Sequence, residues 1–115
     1  IQYALYYPER RPLSGDRLDF YRLSEIFFEK PDTETFMGLI LCYDAIRKGG
    51  NLPTALNAAN EFAVARFLAG EISFLTIYEM IQLAMDSCRF RENPSVEEIL
   101  ETEQETYELL RGRWQ

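Results

Sequence analysis

The sequence runs to 115 residues, 47% of them apolar and 27% charged, with a formal net charge of −7 and no histidine. That composition suits one globular domain able to bury a core and excludes a disordered chain. The acidic balance excludes a nucleic-acid binder, which needs clustered Lys and Arg on phosphate, and no apolar run approaches the ~18 residues of a membrane span.

Residues 1–9, Ile-Gln-Tyr-Ala-Leu-Tyr-Tyr-Pro-Glu, lack a basic start and a small-residue cleavage site, so no signal peptide is read there. With no Met at position 1, the chain is expected to be a piece or a processed product of something longer. Ile1 to Tyr7 suits a short helix that Pro8 ends. Pro8, Pro12, Ser14 and Gly15 then punctuate an irregular stretch. Arg10, Arg11 and Arg17 read as a solvated basic loop, with a domain contact or an anion contact as the alternatives. Residues 16–30 read as extended chain with short strand-like pieces, from the loose alternation of Leu18-Asp19-Phe20-Tyr21-Arg22-Leu23 and the apolar Ile26-Phe27-Phe28. Such a segment cannot hide its own aromatics and must lie against something.

From Pro31 onward the pattern is helical. Phe36, Leu39, Ile40, Tyr43 and Ile46 recur at the spacing of one helix face and are expected to point inward. Gly49-Gly50 ends that helix, and Pro53 suits the first turn of the next. Its stripe is Leu56, Ala59, Ala63 and Phe67, with Ala63 and Phe67 expected to be buried and Gly70 as the stop. Ile72-Ser73-Phe74 reads as a brief extended link. A third helix carries Ile77, Ile81, Ala84 and Cys88 on one face. Ser95 and Glu98 form a capping box for the last helix, which is expected to turn Val96, Ile99, Leu100, Tyr107 and Leu110 inward. Short links make neighbouring helices antiparallel. The fold class is therefore mainly α: a bundle of about four helices preceded by an extended connecting segment.

Catalytic constellations are scarce. Without histidine, the commonest general base and the Ser-His-Asp and Cys-His arrangements are missing. Gly49-Gly50 follows a helix and is not a phosphate loop. Glu97, Glu98, Glu101, Glu103, Glu105 and Glu108 read as the solvated face of a terminal helix rather than a hard-cation site, because helical spacing spreads their oxygens apart. Cys42 and Cys88 read as buried reduced thiols. Phe20, Phe27, Phe28, Phe36 and Tyr43 read as core aromatics.

Asn57, Asn60 and Glu61 stand out, because asparagine is a weak helix former that competes for backbone groups. Asn57 and Glu61, at i and i+4, share a face. A structural role is preferred: their side chains supply donors and acceptors to the backbone of the irregular segment 11–30. A divalent cation held with an added aspartate is the alternative.

Leu56-Asn57-Ala58-Ala59-Asn60-Glu61 resembles the C-terminal domain of the 1-deoxy-D-xylulose 5-phosphate reductoisomerase family. Tyr7-Pro8-Glu9-Arg10, Leu18-Asp19-Phe20, Phe28-Glu29-Lys30-Pro31-Asp32 and Ile72-Ser73-Phe74 resemble family segments in family order. Phe36-Met37-Gly38-Leu39 departs from it, standing where the family commonly has an aromatic followed by Pro-Cys-Leu, and Ser24-Glu25-Ile26 is more polar than usual. The resemblance implies that residues 1–31 are the end of a catalytic domain and a connecting segment, and that 32–115 are a C-terminal helical bundle. It implies a parent enzyme that rearranges and reduces 1-deoxy-D-xylulose 5-phosphate to 2-C-methyl-D-erythritol 4-phosphate with NADPH and a divalent cation, Mg or Mn. That parent is expected to be a homodimer in the bacterial cytoplasm or a plastid. Its ligand motifs lie upstream, so no catalytic, cofactor or metal residue is assigned here and the piece alone is expected to be inactive. The bundle is expected to brace the catalytic domain, its partner. A free-standing acidic helical interaction module is the alternative, which the aromatic-rich residues 1–31 disfavour.

Overall fold

The computed structural model describes residues 1–114. The chain forms two compact units, Ile1–Lys30 and the part from Pro31 onward. Among the described residues there are six helices and no strand.

The first unit holds α1 (Gln2–Tyr6), which ends before Pro8, and α2 (Phe20–Leu23). The second replaces part of the extended reading of 16–30. Asp19 makes it, because its carboxylate accepts the backbone N–H groups of Tyr21 at 2.9 Å and Arg22 at 3.3 Å, as an N-cap does. Phe20, Phe27 and Phe28, read as core, are exposed. Arg10 lies over the Tyr3 ring and Arg11 over the Tyr6 ring, and Arg11 also pairs with Glu9 at 2.9 Å.

The second unit is a bundle of α3 (Gly38–Lys48), α4 (Leu52–Leu68), α5 (Thr76–Ser87) and α6 (Val96–Arg113). α4 lies at its centre and touches all three others. Its buried residues are Leu52, Ala55, Ala58, Ala59 and Ala63, so neighbouring helices come close to its backbone. α5 buries Ile77, Met80, Ile81 and Ala84. Gly49 and Gly50 stop α3 at φ +69° and +59°, a left-handed region that glycine enters freely. Gly50 also has no room for a side chain, because a Cβ there would run into the Arg91 carbonyl oxygen. The capping box at the start of α6 is complete: the Ser95 hydroxyl accepts the Glu98 N–H at 3.3 Å and the Glu98 carboxylate accepts the Ser95 N–H at 2.8 Å.

Several faces differ from the sequence pattern. α3 buries Leu41 and Ala45, whereas Phe36, Leu39, Ile40, Tyr43 and Ile46 point outward. Two apolar rows share this helix, and periodicity alone picks the longer one. Phe67 is 37% exposed because it closes the open end of α4 against Phe74. Leu56 is half-buried. Ile72-Ser73-Phe74 is a bend and turn, with the Ser73 hydroxyl accepting the Thr76 N–H at 3.3 Å. On α6, Val96, Ile99 and Leu100 are exposed, and the inner face is Thr102, Thr106 and Leu110. Each threonine hydroxyl donates at 2.8 Å to the carbonyl one turn back, so burial leaves no orphaned donor. Cys42 is exposed on α3 and Cys88 half-buried at the end of α5. Gly38 lies under the Tyr78 ring, and an added Cβ would sit 2.9 Å from Tyr78 Cε1. The aromatic ring occupies the volume that the missing side chain leaves.

Candidate functional site

Asn57, Asn60 and Glu61 stand on the middle of α4, away from its alanine row. Asn57 Nδ2 donates to Glu61 Oε1 at 3.3 Å, the i, i+4 pair that the spacing indicated. From α6, the Tyr107 hydroxyl reaches Glu61 Oε2 at 3.4 Å and Glu103 Oε1 at 3.3 Å. Desolvation pushes the Tyr107 hydroxyl above its ordinary pKa, and the Glu103 and Glu61 charges push it further the same way. The phenol therefore stays a proton donor between two carboxylates and ties α4 to α6. Asn60 is half-buried one position before Glu61. Among the described residues, no three His, Cys, Asp or Glu side chains converge as a metal site would require.

Sequence reasoning missed Asn51. It is 1% exposed, in the turn between α3 and α4. Its Nδ2 donates to the Arg89 carbonyl at 3.0 Å and to Thr102 Oγ1 at 2.9 Å. Its Oδ1 accepts the Arg91 N–H at 2.9 Å, and its own N–H donates to the Arg91 carbonyl at 3.1 Å. One amide thus joins the α3–α4 turn, the α5–α6 loop and α6. The Arg91 guanidinium continues the net, pairing with Glu101 at 2.8 Å and donating to the Glu98 carbonyl at 3.2 Å. The signal available in sequence was an asparagine one residue before the helix start and two before Pro53, which reads as an ordinary turn.

Two hollows flank Cys88. One of about 250 Å³ is lined by Ser87, Thr102, Glu105 and Thr106, the other of about 400 Å³ by Lys48, Leu52, Asp86 and Phe90. Burial raises the Cys88 thiol pKa, the Glu105 charge adds to it and Arg91 partly opposes it, so this sulfur is a poor nucleophile. At another part of the bundle, Phe74 meets Phe36, Phe67 and Tyr78 edge-on, with centroids 6.2, 5.7 and 5.5 Å apart. Phe36 lies just before the start of α3.

The profile of the DXP reductoisomerase C-terminal domain matches residues 1–109. The chain belongs to that family. It is 57% identical over 114 residues to 1-deoxy-D-xylulose 5-phosphate reductoisomerase of Lachnospira eligens, covering 99% of this chain and 30% of the relative. It is 51% identical over 113 residues to the Geobacillus enzyme of the same name, covering 97% and 30%. The 1-deoxy-D-xylulose 5-phosphate reductoisomerase of Zymomonas mobilis, solved in complex with NADPH, superposes with a TM-score of 0.80 at 36% identity. That match takes in 90% of this chain and 28% of the Zymomonas chain. This DXP reductoisomerase C-terminal domain spans about 30% of the length of the relatives it matches.

Proposed function

We propose that this domain is the C-terminal part of an NADPH-dependent reductoisomerase that converts 1-deoxy-D-xylulose 5-phosphate to 2-C-methyl-D-erythritol 4-phosphate. In it the bundle braces the catalytic domain and takes no part in the chemistry. The observation that carries this reading is the family match across residues 1–109. NADPH, and a divalent cation such as Mg or Mn, bind in the domains outside this chain. The parent is a homodimer of the bacterial cytoplasm. None of the helices described is long and apolar enough to cross a membrane. Residues 1–31 belong to the catalytic domain and its connection, and 32–115 form the brace. Within the brace, Asn57, Asn60 and Glu61 have a structural role, offering amide and carboxylate groups to backbone of the segment 11–30.

The test is made on the full-length protein. NADPH oxidation driven by the sugar phosphate is expected, and the isolated 115-residue chain is expected to bind neither ligand in a calorimetric titration. Micromolar NADPH binding to the isolated chain refutes the division of labour. In hydrogen exchange, Asn57→Ala is expected to speed the amides of 16–30 while those of 77–87 keep their protection. Unchanged exchange in 16–30 refutes the role assigned to Asn57.

A further inference from the structure

We propose that the hollow between α1 and the loop after it binds a phosphate monoester. Arg10, Arg11 and Arg17, which stand out in the sequence as a basic loop, line one hollow of about 430 Å³ with Gln2, Tyr3 and Asp16. All of these residues lie within the first unit. Two of the three guanidinium groups are held in place by α1. Tyr3 and Tyr6 are three positions apart and share a face of that helix. Arg10 lies 4.2 Å from the centroid of the Tyr3 ring and Arg11 lies 4.4 Å from that of Tyr6. Gln2 Nε2 donates to the Pro12 carbonyl at 3.2 Å, which pins the loop to the same helix. A cation already fixed on a ring loses little side-chain freedom when it meets an anion. Glu9 partly neutralises Arg11 at 2.9 Å, whereas Arg10 and Arg17 form no ion pair among the described residues.

Charge and shape select the ligand. The three guanidinium groups share the lining with a single carboxylate, Asp16, so the hollow is positive in a chain of net charge −7. A phosphate monoester carries nearly two negative charges at neutral pH and several acceptor oxygens, which guanidinium forks grip in pairs. A carboxylate offers one charge and leaves part of the cluster unanswered. The volume falls in the range of small-molecule sites and leaves room for an organic body beside the phosphate. None of this depends on the reaction proposed above.

Arginine-specific labelling tests the site residue by residue in the full-length protein. Phenylglyoxal adducts are read by peptide mass, with the exposed Arg111 and Arg113, which also lie over aromatic rings, as references. Millimolar glycerol 3-phosphate is expected to slow labelling of Arg10 and Arg17 about fivefold or more and to leave the references unchanged. Acetate at equal ionic strength is expected to leave all four unprotected. Arg17→Gln is expected to raise the glycerol 3-phosphate midpoint for protection of Arg10 about tenfold, and Asp16→Asn to lower it. Labelling unchanged by glycerol 3-phosphate, slowed equally at the references, or slowed as much by acetate overturns the inference. So does a full-length protein in which Arg10 and Arg17 resist the reagent without any phosphate, since other parts of the protein then fill the hollow. Protection in a protein without reductoisomerase activity keeps this inference and refutes the proposed reaction, and activity without protection does the reverse.

Discussion

Replacing Asn51 with alanine removes a net of three side-chain hydrogen bonds, at 3.0, 2.9 and 2.9 Å. The loss is not uniform. Thr102 Oγ1 keeps its bond to the Glu98 carbonyl, and Arg89 is exposed enough for water to reach it. The Arg91 N–H loses the acceptor it has in the folded chain. A part-buried group left unsatisfied costs about 1–3 kcal/mol, and each of the other two bonds contributes about 1 kcal/mol, so the total is about 3–5 kcal/mol. With a urea m-value of about 1.5 kcal/mol/M, the midpoint falls by about 2–3 M. Urea unfolding of the isolated domain followed by the fluorescence of Trp114 measures it, since that indole packs on the core. A shift below about 0.5 M would mean that the amide merely occupies a turn, and the reasoning fails.

Gly50→Ala is expected to cost several kcal/mol and to exceed Gly49→Ala in the same assay, because both positions have positive φ but only Gly50 faces the Arg91 carbonyl. Phe67→Ala is expected to cost about 1–2 kcal/mol, less than the roughly 3–5 kcal/mol of a fully buried aromatic, since the ring is part exposed and contacts Phe74 by an edge. In the isolated domain at pH 8, a disulfide reagent is expected to label Cys42 before Cys88. For Cys88 the folded pKa lies above the unfolded one, so its contribution to stability is full below about 8.5 and is lost as pH rises through the folded value. Cys88→Ser should flatten that alkaline decline in a pH series of melting temperatures.

Local chemistry was legible in the sequence and burial was not. The Ser95–Glu98 box and the Gly49-Gly50 stop depend on residues within one turn, and both stand as read. Asp19 is a local signal of the same kind that passed unused, masked by the alternation around it. The face of α3 could not be settled locally, because Leu41/Ala45 and Leu39/Tyr43/Ile46 are both apolar and only the position of α4 chooses between them. Asn51 was invisible for the opposite reason. Its side-chain partners lie 38 to 51 positions away, so nothing near it in the chain marks it as buried. The pair Asn57–Glu61 was found by spacing, while Tyr107 and Glu103 came from another helix.

The alanine row of α4 has a thermodynamic consequence. Four alanines supply most of what the central helix buries, and among the largest fully buried side chains two of four, Asn51 and Thr102, are polar. Each methyl removes little area from water, at about 25 cal/mol per Å², so the bundle's own apolar gain is small for its length. Its surplus apolar area is outside, on α3. Cover of that row by any partner would, through mass action, return the binding energy as a higher unfolding temperature of the covered molecule. Polar substitutions on the outward row would be silent in the excised bundle and costly only where a partner covers it, the reverse of what a self-sufficient core would give.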